Sequence, residues 1–102
     1  MNIQLHDDTL RVSGMKELAA ANAQALVEQV CATLPSRLHA IEIDLSETGY
    51  VDSCGVGALV SLLKTARNHN GGVSIRLLNP TRPVEQIFEL TRLHRVFEIE
   101  KH

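Results

Sequence analysis

One stretch concentrates the residues whose types and spacing could do chemistry: Asp44-Leu45-Ser46-Glu47-Thr48-Gly49-Tyr50-Val51-Asp52-Ser53-Cys54-Gly55-Val56-Gly57-Ala58-Leu59. Carboxylates, hydroxyls and a thiol stand between a strand-like alternation and a helix-like periodicity. Such a junction ends at a helix N-terminus, where unpaired N–H groups and the helix dipole favour negative charge. A phosphoryl group on a side chain there would find donors without a metal. Gly55 and Gly57 are expected to leave the helix start bare, so that another chain can approach. The alternative is purely structural: Asp52 or Ser53 caps the helix, and the glycines permit a tight turn.

Enzyme templates do not fit this stretch. A thiolate phosphatase built on Cys54 would use the helix N-terminus to lower the thiol pKa. It would also need an arginine six positions on to clamp phosphate, and that position is Val60. The G-x-S-x-G elbow of Ser hydrolases is missing. A P-loop fails too, because Gly49 and Gly55 are one position too far apart and Val56 stands where lysine is required. Phosphorylation of Asp44 in the manner of a receiver domain would need a neighbouring acidic pair to hold magnesium. Asp7 and Asp8 are such a pair, but they belong to a hairpin turn. His6, His39, His69, His94 and His102 show no metal-ligand spacing. No metal and no cofactor is expected.

The elements that must position the stretch follow from periodicity. Ile3 and Leu5, then Leu10 and Val12, alternate about His6-Asp7-Asp8, predicting a hairpin that ends near Gly14. From Glu17 to about Thr33 the period becomes helical, with Leu18, Ala21, Ala25, Leu26 and Val30 near one face and Pro35 as the stop. Ile41, Ile43 and Leu45 predict a strand; Val56, Leu59, Val60, Leu63 and Ala66 a second helix, stopped by Asn70-Gly71-Gly72. Val73, Ile75 and Leu77 make another strand. Pro83 opens a third helix carrying Val84, Ile87, Phe88 and Thr91, and Val96, Phe97 and Ile99 form a last extended piece. The expected order is β-β-α-β-α-β-α-β, a single α/β domain over residues 1–102. Its mixed sheet has four to five strands, an opening antiparallel hairpin and then parallel crossovers.

Polar residues decide how that sheet is covered. Gln4, Arg11, Glu42, Asp44, Ser74 and Arg76 interrupt every strand at period two, whereas a sheet covered on both faces has nearly continuous apolar strands. Helices should therefore pack mainly on one face and leave the other wet, with cross-strand charge pairs available there.

Composition excludes other classes. The 102 residues are 44% hydrophobic and 22% charged, ordinary for a folded domain, with a net charge of -2 and interspersed signs. Nucleic-acid binding would need clustered Lys and Arg, and aromatic residues at 3% offer few stacking platforms. No apolar run approaches the roughly 20 residues of a membrane span, and Met1-Asn2-Ile3-Gln4 lacks signal-peptide character, so a cytosolic location is expected. Cys31 and Cys54 are expected as free thiols, with Cys31 packed in the core.

The segment from Ile43-Asp44-Leu45-Ser46 through Tyr50-Val51-Asp52-Ser53-Cys54-Gly55-Val56-Gly57 resembles the signature of the STAS family. That family reads D-L-S, four or five residues, then aliphatic-D-S-S/T-G-aliphatic-G. Leu10 to Gly14, Asn70-Gly71-Gly72 and the run Phe88 to Phe97 are similar to further parts of it. The resemblance implies an antagonist of an anti-sigma factor: a non-enzymatic module that binds an anti-sigma factor with serine-kinase activity and is switched by phosphorylation. Its contacts would lie at Ser46, Asp52, Ser53, Cys54, Gly55, Val56 and Gly57, in a monomer or weak homodimer. Cys54 departs from the pattern at the usual phosphoacceptor, which implies that the switch is lost or moved to Ser53. Cys54 is expected to be a small, partly buried thiol; a redox-sensitive replacement, or a complex indifferent to phosphorylation, are the other readings. The alternative role is an accessory subunit of a lipid-transport ABC complex or a sensory assembly.

Overall fold

Period-two alternation builds the sheet that carries everything else. The computed structural model describes residues 1–33, 38–68 and 72–101. In order they form β1 (Asn2–His6), β2 (Thr9–Ser13), β3 (Glu17–Leu18), α1 (Ala23–Thr33), β4 (Ala40–Asp44), β5 (Tyr50–Val51), α2 (Ser53–Asn68), β6 (Ser74–Leu78), α3 (Arg82–Leu90), a 3-10 turn (Leu93–Arg95) and β7 (Glu98–Glu100). The main sheet runs β1-β2-β4-β6-β7, with β1 antiparallel to β2 and the remaining pairs parallel. It is the expected mixed sheet at its five-stranded limit.

Register sorts the side chains by face. Leu10, Ile41 and Ile75 stand in one row, and Val12, Ile43, Leu77 and Ile99 in the next. All but Ile99, which is partly buried and packs against them, share one buried cluster with Leu26 and Val30 of α1, Leu59, Leu62, Leu63 and Ala66 of α2, and Val84 and Phe88 of α3. Burying such side chains stabilises the fold by about 1.5–3 kcal/mol each. On the opposite face the row reads Gln4, Arg11, Glu42, Arg76, Glu98. Arg11 pairs with Glu42 at 3.4 Å and with Asp44 at 3.1 Å; Arg76 pairs with Glu42 at 3.2 Å and with Glu100 at 3.6 Å. The wet face predicted from the sequence is a ladder of alternating charge.

Helix α1 is shorter than its periodicity predicts. It begins at Ala23, because Glu17–Leu18 instead forms β3 and pairs in parallel with β5 in a separate two-stranded sheet. Alanine-rich sequence favours helix only weakly, and burial of Leu18 outweighs it. Asn22 consolidates the switch. Its side-chain oxygen accepts the Ala19 N–H at 2.9 Å, its amide donates to the Glu17 carbonyl at 2.7 Å, and its own carbonyl accepts the Leu26 N–H. Ala21, expected on the helical face, is exposed in this turn.

Two smaller differences concern the chain's later part. The extended piece expected from Val96 begins only at Glu98: a 3-10 turn ends at Arg95, and Val96 is exposed at its C-cap. Thr91 is exposed just past α3, its hydroxyl donating to the Ile87 carbonyl at 2.7 Å. Pro35, Asn70 and Gly71, expected as helix stops, lie outside the described residues, as do His69 and His102.

Candidate functional site

The loop joining β4 to α2 is held from three sides. The Thr48 hydroxyl, wholly buried, donates to the Met15 carbonyl at 2.6 Å, and the Gly49 N–H donates to the Lys16 carbonyl at 2.9 Å. Thr81, just before α3, donates its hydroxyl to the Thr48 carbonyl at 2.6 Å. The short β3–β5 pair completes the clamp, so the loop delivers Asp52 and the first turn of α2 to a defined place.

Asp52 is the helix cap. Its Oδ1 accepts the Gly55 N–H at 2.9 Å, satisfying one of the free donors of the first turn. Its Oδ2 accepts the Ala20 N–H at 3.1 Å, tying the approach to α1 onto the start of α2. The Gly55 N–H first, with those of Ala20 and Cys54, holds the Asp52 carboxyl below the usual aspartate range against a smaller opposing effect of burial. At Asp44 burial pushes the pKa up, but hydrogen bonds from Ser46 and the Arg11 charge outweigh it, and the net shift is downward.

These depressed values give a pH prediction. A carboxyl with a lowered native pKa stabilises the fold fully above its unfolded value, and the contribution disappears as pH falls through the lower native value. Asp52→Asn is expected to lower the melting temperature near pH 7 by about 5 °C. The difference from the parent should shrink on acidification below the ordinary aspartate pKa near 4. Thermal melts of both proteins between neutral and strongly acidic pH check this; a difference that grows on acidification contradicts it.

The first turn divides cleanly between inside and outside. The inward face of α2 carries Gly55 in this turn, then Ala58, Leu59, Leu62, Leu63 and Ala66. A side chain on Gly55 would overlap the Leu18 carbonyl, and Val51 stands 3.0 Å away, so this glycine lets β3 lie directly under the helix. Gly57 has nothing within 4 Å of where a Cβ would stand. Of the two glycines expected to leave the helix bare for another chain, only Gly57 faces outward. Ser53 is exposed, and Val56 is half-buried against the core.

Both cysteines correct the sequence reading. Cys54 is exposed rather than partly buried, and Cys31 is exposed rather than packed in the core. Each precedes or follows an inward residue, Gly55 or Val30, and one residue is about 100° of helical rotation. Ser46 is exposed at the C-terminal end of β4, where its N–H donates to Asp44 at 2.9 Å. Among the described residues no hydrogen bond joins Ser46 to residues 52–57.

The structure adds a groove the sequence did not announce. Ala20, Ala23, Gln24 and Val27 form one wall, and Cys54, Gly57, Ala58 and Ser61 the other, around a volume of about 390 Å³. The α2 wall has helical spacing and small side chains, which is why the groove stays open. Tyr50, 55% exposed, stands on β5 just ahead of Asp52. Among the described residues no cluster of His, Cys, Asp and Glu could hold a metal ion. No described helix is long and apolar enough to cross a membrane.

Comparisons with known proteins agree with this architecture. A family model described as the STAS domain matches residues 1–102. A candidate anti-sigma factor antagonist from Thermotoga maritima superposes with a TM-score of 0.86 at 26% identity, covering 99% of this chain and 86% of that one. The anti-sigma factor antagonist SpoIIAA in its unphosphorylated form gives 0.78 at 17% identity, again covering 99% and 86%; at that identity the likeness concerns the fold. An anion transporter of the murine solute carrier 26 family matches at 0.70 and 27% identity, over 85% of this chain and 14% of its own.

Proposed function

Because the chain belongs to the STAS domain family, we propose that it works as a non-catalytic docking module of the anti-sigma factor antagonist kind. The observation that carries the proposal is the outward first turn of α2: Ser53, Cys54 and Gly57 exposed beside the groove, on a loop pinned by Thr48 and Asp52. A rigid, small-residue surface costs little ordering when a partner lands on it. The partner is an anti-sigma factor of serine-kinase type, met in the cytosol, and its capture frees the sigma factor.

A phosphate on this turn would act by charge. It would stand beside Asp52, already ionised in the cap, and a desolvating contact would oppose both negative charges. The usual acceptor position holds Cys54, so phosphate transfer to this chain is confined to Ser53 or does not occur. The accessory-subunit reading has the match to a transporter's STAS region on its side. The likeness to the Thermotoga maritima protein, at a TM-score of 0.86 over 99% of this chain, favours the antagonist reading.

A photo-reactive amino acid at Gly57, activated in cells, decides between these partners. A covalent adduct with a protein bearing a serine-kinase domain is expected. An adduct with a transporter subunit supports the alternative. Incubation of the chain with the captured kinase, followed by mass spectrometry, is expected to find phosphate on Ser53 or none. Stoichiometric phosphate on residue 54 would contradict the account.

A further inference from the structure

The two edges of the main sheet are built differently. β7 spans three residues and carries Glu98 and Glu100, so an arriving strand meets charge over a short length. β1 spans five, Asn2–His6, without Lys, Asp, Glu or Pro and with an unbroken register against β2. Leu5 is 48% exposed although it stands opposite Leu10, on the face the helices cover. The usual devices that blunt an edge strand are missing from β1.

The phase of the backbone groups along this edge can be worked out. The Asp8 carbonyl accepts the N–H groups of His39 and Ala40, on the β4 side of β2. Backbone groups alternate along a strand, so those of Leu10 and Val12 also turn toward β4, and those of Thr9, Arg11 and Ser13 toward β1. Their partners His6, Gln4 and Asn2 therefore direct their backbone groups inward. The N–H and C=O of Ile3 and Leu5 point off the edge of the sheet.

We propose that this edge pairs antiparallel with the same edge of a second copy, about a dyad between the two Gln4 residues. Ile3 and Leu5 of each copy then exchange N–H···O=C bonds with Leu5 and Ile3 of the other, so the outward groups of both residues are satisfied. On the helix side, Leu5 gains the apolar cover of Ile3 from the second copy. On the open side Gln4 meets Gln4 and Asn2 meets His6, so no like charges are opposed; Asp7 and Asp8 lie in the turn beyond the strand. A shift by two residues in either direction brings Ile3 against Ile3 or Leu5 against Leu5 and leaves fewer residues paired. The contact is short of the roughly 1,000 Å² that a standard interface clears, so the dimer is weak and concentration-dependent. It uses none of residues 52–57 and stands independently of the docking role.

Sedimentation equilibrium from about 10 µM to about 1 mM tests this, with a dissociation constant on the order of 100 µM expected. Leu5→Lys places a charge on the edge, and Leu5→Pro removes an outward N–H while sparing the inward bonds to β2. Each is expected to weaken dimerisation about tenfold or more, and the melt of Leu5→Lys shows that the fold survives. In a Cys31→Ser, Cys54→Ser background, Gln4→Cys should form a covalent dimer on oxidation, because the dyad brings the two residues together. Asn2→Cys should not, since Asn2 faces His6. A protein that stays monomeric at the highest concentration overturns the proposal. So does a dimer indifferent to both Leu5 variants, or one that Asn2→Cys cross-links as readily as Gln4→Cys.

Discussion

Gly55→Ala is expected to destabilise the fold by about 3 kcal/mol, lowering the melting temperature by about 15 °C. In an exposed helix the same change would gain up to about 1 kcal/mol, because alanine is the better helix former. Here the added methyl meets the Leu18 backbone, and that carbonyl already accepts the Asp52 N–H at 3.2 Å. Relief requires moving β3 away from α2, which breaks the β3–β5 clamp and the cap together. Gly57→Ala supplies the contrast on the same turn. Nothing stands within 4 Å, so its stability should hold or rise by about 0.5 kcal/mol. Urea denaturation of the two variants checks both signs; equal effects would mean that α2 does not lie on β3 as described.

The second large effect concerns binding. If the proposed anti-sigma factor partner docks here, Cys54→Glu is expected to weaken its capture about 100-fold, or roughly 2.7 kcal/mol. The new carboxylate stands on the turn capped by Asp52, so two negative charges must be desolvated where there was one. Stability should hardly change, because residue 54 is exposed and an acidic residue suits the first turn of a helix. Cys54→Ser should keep affinity within about threefold, being a near-isosteric change at a contact. On the proposed function it should also become a substrate of the partner kinase. Cys31→Glu, exposed on α1 but outside the groove, is the control and should bind as the parent does. Calorimetric titration measures all three. Equal affinity for Cys54→Glu and parent would place the contact surface elsewhere.

Much of this architecture was legible because its signals are local. The period-two polar interruptions predicted the wet face, and Arg11, Glu42, Asp44 and Arg76 do form the cross-strand pairs that the pattern allowed. The order of the five main-sheet strands and three helices followed from switches between strand and helix periodicity, whereas β3 and β5 did not. The misses share a cause: each depended on what a residue meets across space. Glu17–Leu18 sits in helix-favouring sequence but pairs with Tyr50–Val51, thirty-three positions away. Gly55 and Gly57 look alike in sequence, yet one lies on a backbone carbonyl and the other faces open space. Cys31 and Cys54 are small and apolar enough for a core, and only the rotation of each helix about Val30 or Gly55 turns them outward. At the site, Asp52 was readable as a cap, but its second bond, to Ala20, was not. The groove needed two helices placed side by side.

The central claim is that a partner docks on the first turn of α2 and the adjoining groove. Amide shifts of the isotopically labelled chain, followed by NMR while the proposed anti-sigma factor partner is titrated in, test it most directly. The account predicts perturbations concentrated at Tyr50 to Ala58 and along Ala20 to Val27, with the charged rows of Arg11, Glu42 and Arg76 left unmoved. Perturbations confined to that charged face, or to α3, with residues 52–57 silent, would contradict it.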